Sequence, residues 1–195
     1  RAEYRILLRQ DNADARLTPL SFQIGLAGSK RNTRILNKIE AVNSLIHFCK
    51  ITSIDPETIN NYLSDIGSSQ LKQKVKLGSL LTRPEILLTD LLKEFPKLSN
   101  FISSDQIYNH EILQEAEIQI KYDTYIKKEK EMANKLLKLE DISLKKDIDY
   151  HKLKSLSYEA REKLLKVKPS TIGQASRISG VSPADISVLI VYLGR

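Results

Sequence analysis

In residues 30–50 the apolar side chains Ile35, Leu36, Ile39, Val42, Leu45, Ile46 and Cys49 recur every three or four positions. Only an α-helix gathers such positions onto one face, so the spacing predicts an amphipathic helix of about five to six turns. A stripe that long needs other helices or a sheet to cover it. The rest of the chain offers helices: seven Gly and six Pro leave few breaks, and Leu, Ile, Lys and Glu dominate. The reading is all-α, a multi-helix domain followed by a small three-helix C-terminal subdomain.

The breaks that do occur place the other elements. RAEYRILLRQ at 1–10 sets Tyr4, Leu7 and Leu8 apart from Arg1, Arg5 and Arg9 at helical spacing, although the same odd positions would share a face of a strand; helix is expected. A short helix follows, with Pro19 in its first turn after Thr18 and its end at Gly25 or Gly28. Asp55 caps the next, with Pro56 at its first position and Gly67 at its end. Pro84 is expected to start a helix that Pro96 stops, and 68–81 is undecided. The longest helix is expected over 105–140, where length overrules the strand-like alternation of AEIQI. A polar connection then leads to SYEAREKLLKVK, TIGQASRIS and PADISVLIVYLG, with Pro169 and Pro183 at the breaks.

Several functions are excluded by what the residues lack. No glycine-rich phosphate loop occurs. His47, His110 and His151 are far apart, and Cys49 has no second thiol, so surface or half-buried histidines and a small core thiol are expected instead of metal ligands or a nucleophile. The longest apolar run, ISVLIVYL at 186–193, is too short to span a bilayer. The chain reads as soluble and cytoplasmic. It starts at Arg1 with no Met, inside a patterned segment, as a piece of a longer protein would.

Net charge is +7, and residues 151–195 carry eight Lys and Arg against three Asp and Glu. Such a surface attracts polyanions, though lysine-rich proteins that bind none share the count. Two stretches sharpen the question. RAEYRILLRQDNADAR holds four arginines in sixteen residues; they either grip phosphate through their planar forks or pair locally with Glu3, Asp11 and Asp14. SRISGVSPADIS at 176–187 reads as a helical corner, with Gly180 at a positive backbone angle and Ser182 and Pro183 opening a new helix. A groove-reading helix needs polar side chains that reach base edges, and ISVLIVYL suits packing or a partner's groove instead.

RAEYRILLRQDNADARLT at 1–18 and PSTIGQASRISGVSPADISVLIVYL at 169–193 resemble, nearly residue for residue, the C-terminal part of the tRNA uridine 5-carboxymethylaminomethyl modification enzymes, the GidA/MnmG family. LLTRPEI at 80–86, EIQIKYDTYIKKE at 117–129 and LSYEAREKL at 156–164 fall between them in that family's order, while 29–79 is only generically helical. The resemblance implies a junction with a missing FAD-binding domain at 1–17, a helical domain at 18–146 and the three-helix subdomain at 147–195. It implies a parent flavoprotein, using FAD and NADH, that works with a GTPase subunit to place an aminomethyl or carboxymethylaminomethyl group on C5 of the tRNA wobble uridine. Both cofactors and the reactive cysteines then belong to the missing part, no catalytic residue lies in this chain, and the full-length protein is a homodimer.

Carried over by the matched motifs, Arg1, Arg5, Arg9, Asn12, Asp14 and Arg16 are the candidate tRNA-facing residues of the first motif. Arg83 and Arg177 join them on charge. Thr82 stands where many relatives have a second basic residue, leaving Arg83 without that neighbour. Glu159, Arg161, Gly173, Gln174, Ser176 and Gly180 are the candidates for docking the GTPase. Two alternatives stand: residues of the first motif, such as Arg5 and Asn12, line the active site once the flavin domain is in place, or the chain is a generic helical scaffold for nucleic acid or protein, with no link to catalysis.

Overall fold

The structure is a computed structural model, and it describes residues 4–104, 107–145 and 148–194. Among these the chain is helical, as expected, with eleven α-helices, one 3-10 turn and a two-stranded sheet. It divides into two compact units, Arg1–Lys127 and Lys128–Arg195. The division falls inside helix α8 (Asp123–Glu140), ahead of residue 147, where the sequence suggested that the terminal subdomain starts. Late α8 serves the second unit's core: Leu139 packs against it and Glu140 bonds to its helices.

In the first unit α2 (Ser29–Ile51) is the axis, packed by α1 (Ala13–Gln23), α4 (Leu77–Leu81) and α7 (His110–Lys121). Its buried positions Ile35, Val42, Leu45 and Cys49 keep the three-four spacing, while Leu36 stays exposed. Leu63 of α3 (Pro56–Asp65), Leu91 of α5 (Leu88–Glu94), Leu98 of α6 (Pro96–Ser103) and Ile112 of α7 complete this core. Each fully buried Leu or Ile contributes roughly 2 kcal/mol of transfer free energy. The undecided stretch becomes β2 (Val75–Lys76), paired antiparallel with β1 (Ser53–Ile54), and then α4.

Four helix expectations are corrected. Residues 4–12 form successive turns, with Tyr4 left-handed at φ 57° and its carbonyl accepting from the amides of Leu7 and Leu8. Helix α1 begins at Ala13, so Pro19 lies inside it and not in its first turn. There the ring removes one backbone donor. The helix does end at Gly25, whose φ of 78° lets the amides of Gly25 and Leu26 bond back to Phe22 and Ser21.

Pro84 sits in a turn while α5 starts at Leu88, and Pro96 opens α6 as well as ending α5. The expected 105–140 helix is two: Asn109 caps α7, and Tyr122, at φ −103° and ψ 9°, separates α7 from α8. Residue 105, its expected start, lies outside the described residues.

The second unit holds α9 (Tyr158–Val167), α10 (Ile172–Ser176) and α11 (Pro183–Tyr192), the three helices expected. Ser157, Thr171 and Ser182 each accept an amide of the following turn through the side-chain oxygen. Leu164, Ile172, Ala175, Ile186 and Leu189 close the core.

Candidate functional site

The first motif folds around Arg9. Its Nε donates to both carboxylate oxygens of Asp11 at 3.0 and 3.1 Å, Nη1 to the Ile6 carbonyl at 3.0 Å, and Nη2 to Asp11 at 2.9 Å and Glu115 of α7 at 3.2 Å. A guanidinium used this fully is a staple between the turn and α7. Asp14 is also taken, accepting from the buried Lys38 ammonium at 2.9 Å; Lys38 donates to Glu111 at 2.6 Å as well. Local pairing therefore holds for Arg9 and Asp11, whereas the partner of Asp14 is a lysine.

Glu115 is 7 % exposed, and its Oε2 has no hydrogen-bond donor among the described residues. Burial above all, and then hydrogen bonding with the Asp11 carboxyl, push its pKa up to about 7. Two carboxyls share a hydrogen bond only when one carries a proton, and Glu115 is the one placed to carry it. Burial also works to raise Asp11, but the Arg9 guanidinium prevails and holds it below the ordinary carboxylate range.

Asn12 is a bracket of another kind. Its Nδ2 donates to the Leu7 carbonyl at 3.0 Å and its Oδ1 accepts from Arg16 Nε at 2.9 Å. Arg5 is exposed and makes no side-chain hydrogen bond or ion pair with another described residue. Arg1 lies outside the described residues. Arg83, elsewhere in the first unit, gives its Nη1 to the Ser68 hydroxyl and the Ser69 carbonyl.

In the second unit most of the docking candidates also make internal contacts. Arg161 Nη2 reaches the carbonyls of Leu153 and Leu156 at 3.4 and 3.3 Å. Gln174 Oε1 accepts from the Ser170 amide and hydroxyl, and the Ser176 hydroxyl donates to the Gly173 carbonyl. Arg177 donates to Glu140, which also accepts from Thr171 at 3.0 Å; Arg177 first and Thr171 next hold the Glu140 carboxyl below its usual range. A Cβ on Gly173 would collide with that carboxylate, and one on Gly180 with the Glu159 carboxylate. Gly180, at φ 92°, turns the chain so that the Val181 amide reaches the Ile178 carbonyl. Also exposed in this unit are Glu159, Tyr158, Val191 and Tyr192.

The corner rests on Asp185, which sequence reading passed over. It is 3 % exposed and accepts from the amides of Ser157 at 2.8 Å and Ser182 at 2.9 Å, joining the starts of α9 and α11. Burial opposes its charge, but hydrogen bonds from Ser182 and then Ser157 hold the carboxyl below its ordinary value. Its place three residues after Ser182 was the available signal. Glu111 and Glu115 carried a weaker one, a four-residue spacing along α7 that does not reveal the partner turn.

Cys49 is buried, with burial pushing its thiol up to about 12, and the three histidines are exposed. Among the described residues no cluster of three metal-ligating side chains occurs and no helix is long and apolar enough to cross a membrane.

Two family models match. Residues 29–130 fit the tRNA modifying enzyme MnmG/GidA C-terminal helical domain, and 132–195 the MnmG/GidA C-terminal helical bundle. Among curated relatives, the tRNA uridine 5-carboxymethylaminomethyl modification enzymes MnmG of Christiangramia forsetii and Flavobacterium psychrophilum are 50 % and 49 % identical over the whole chain. The chain spans 31 % of the length of each. Among solved structures, Aquifex aeolicus GidA in its form II crystal matches with a TM-score of 0.68 and 34 % identity, over 100 % of this chain and 29 % of that one.

Proposed function

The chain belongs to the MnmG/GidA family of tRNA-modifying enzymes, and on that premise we propose that it is the C-terminal helical part of a FAD-dependent enzyme that installs an aminomethyl or carboxymethylaminomethyl group at C5 of the tRNA wobble uridine with a GTPase partner. The observation that carries this reading is the adjoining match of both C-terminal family models on a chain covering 31 % of its relatives' length. The residues present do not fit a flavin or nicotinamide: the glycines mark helix ends and close packing, and no G-x-G-x-x-G run occurs. FAD and NADH are therefore assigned to the remainder of the protein.

This part contributes tRNA binding and partner docking in a cytoplasmic homodimer. The excess positive charge and the arginine motif support the first role. Partner docking is assigned chiefly to 147–195, where Tyr158 at the start of α9 and Val191 and Tyr192 at the end of α11 stand exposed. Deleting 147–195 from the full-length protein should abolish association with the GTPase subunit in light scattering while leaving flavin absorbance intact; undiminished association would refute the docking role. Nucleoside mass spectrometry of tRNA incubated with full-length protein, GTPase and cofactors tests the activity, and unmodified wobble uridine throughout would refute it.

A further inference from the structure

The donors of the first-motif arginines are not spent alike. Arg9 has every nitrogen engaged, with the Asp11 carboxylate and the Glu115 carboxyl group against it. Arg16 is held through Nε alone, by the neutral amide of Asn12, and its terminal nitrogens have neither a partner nor full burial among the described residues. The carboxylate nearest to it in sequence, Asp14, is committed to Lys38. The Arg16 charge is thus uncompensated among the described residues, and its four terminal N–H groups are unused. Asn12 also grips the Leu7 carbonyl, so the same side chain ties Arg16 to the turn on which the exposed Arg5 sits.

We infer that Arg16 and Arg5 are the phosphate-binding arginines of this motif, contacting the RNA sugar-phosphate backbone, and that Asn12 is the positioning residue that aims Arg16 without neutralising it. The inference rests on the reading that the full-length protein binds tRNA. A neutral bracket matters because a carboxylate in its place would compensate the charge and lose the counterion release that drives phosphate binding. Arg9 takes the opposite part, folding the turn and contributing no phosphate contact.

Arginine footprinting with phenylglyoxal on the full-length protein, read by mass spectrometry with and without saturating tRNA, tests this. Arg5 and Arg16 should react readily in the free protein, Arg9 should resist, and tRNA should protect Arg5 and Arg16. An Arg16 that resists without tRNA is covered by protein, and the inference fails. Bound tRNA that leaves Arg16 reactive also overturns it, whereas no tRNA binding by the intact protein overturns the reading beneath it.

Salt titrations supply a second measure. Arg16→Ala should weaken tRNA binding about tenfold near 0.1 M salt and lower the slope of log affinity against log salt by about one contact. Asn12→Asp should lower the slope likewise, by placing a carboxylate on Arg16; a role confined to holding the turn would lower the unfolding temperature and leave the slope unchanged.

Discussion

Glu115 and Asp185 are both buried carboxylates, yet they respond to pH with opposite sign. The Glu115 pKa rises from 4.5 to about 7, so between those values the folded protein holds a proton that the unfolded chain has released. Stability from this group falls as pH climbs through that window and levels off above it. Glu115→Gln keeps a donor for Asp11 and removes the titration. The variant should match the wild type near pH 4, below the window, and exceed it at pH 8 by roughly 1–2 kcal/mol, below the full linkage because solvent screens part of the charge. Urea unfolding at the two pH values decides it, and an equal difference at both would refute the assignment. Asp185 is depressed, so its contribution is present above about pH 4 and lost as pH falls through its folded value. The sequence displayed neither behaviour: Glu115 acts through a turn more than a hundred residues away.

At the scale of the element, what could be read depended on whether the determinant was local. Ser182, Pro183 and Gly180 announce their corner within a few residues, and it formed as expected. The 105–140 pattern shows the limit. Its stripe does continue through Tyr122, Tyr125, Ala133 and Leu136, but α8 has no buried residue among those described, and Met132 and Leu137 are 61 % and 64 % exposed. Periodicity records that a face is apolar, not what covers it, so the interruption at Tyr122 was invisible. The turn at 4–12 departs from its helical pattern for a similar reason, because Arg9 and Asn12 hold it through side chains that such a pattern ignores. Asp185, by contrast, serves two helices at once. Asp185→Ala should therefore cost about 2–3 kcal/mol, more than an ordinary cap, because the Ser157 and Ser182 amides both lose their acceptor. Thermal unfolding of full-length protein carrying the variant measures it, and a loss below about 1 kcal/mol would mean that water replaces the carboxylate at both helix ends.

At the scale of the molecule, most buried apolar side chains among the described residues gather in two clusters, one from Ala41 to Ile120 and one from Leu144 to Leu189. Cooperativity in folding comes from a shared core, so two cores predict two separately cooperative units. The family models divide in the same way, one ending at residue 130 and the other starting at 132. Leu45→Ala and Leu164→Ala each remove a fully buried side chain, one in each core. Each should cost about 3 kcal/mol in its own unit only. Hydrogen exchange on the full-length protein can resolve the two. Leu45→Ala should speed exchange across α2, α4 and α7 while α9 to α11 keep wild-type protection, and Leu164→Ala should do the reverse. Loss of protection in both units from either variant would mean one cooperative fold. Such independence would bear on function, because a bundle that opens or folds by itself can be lost without damage to the arginine motif, which belongs to the first unit.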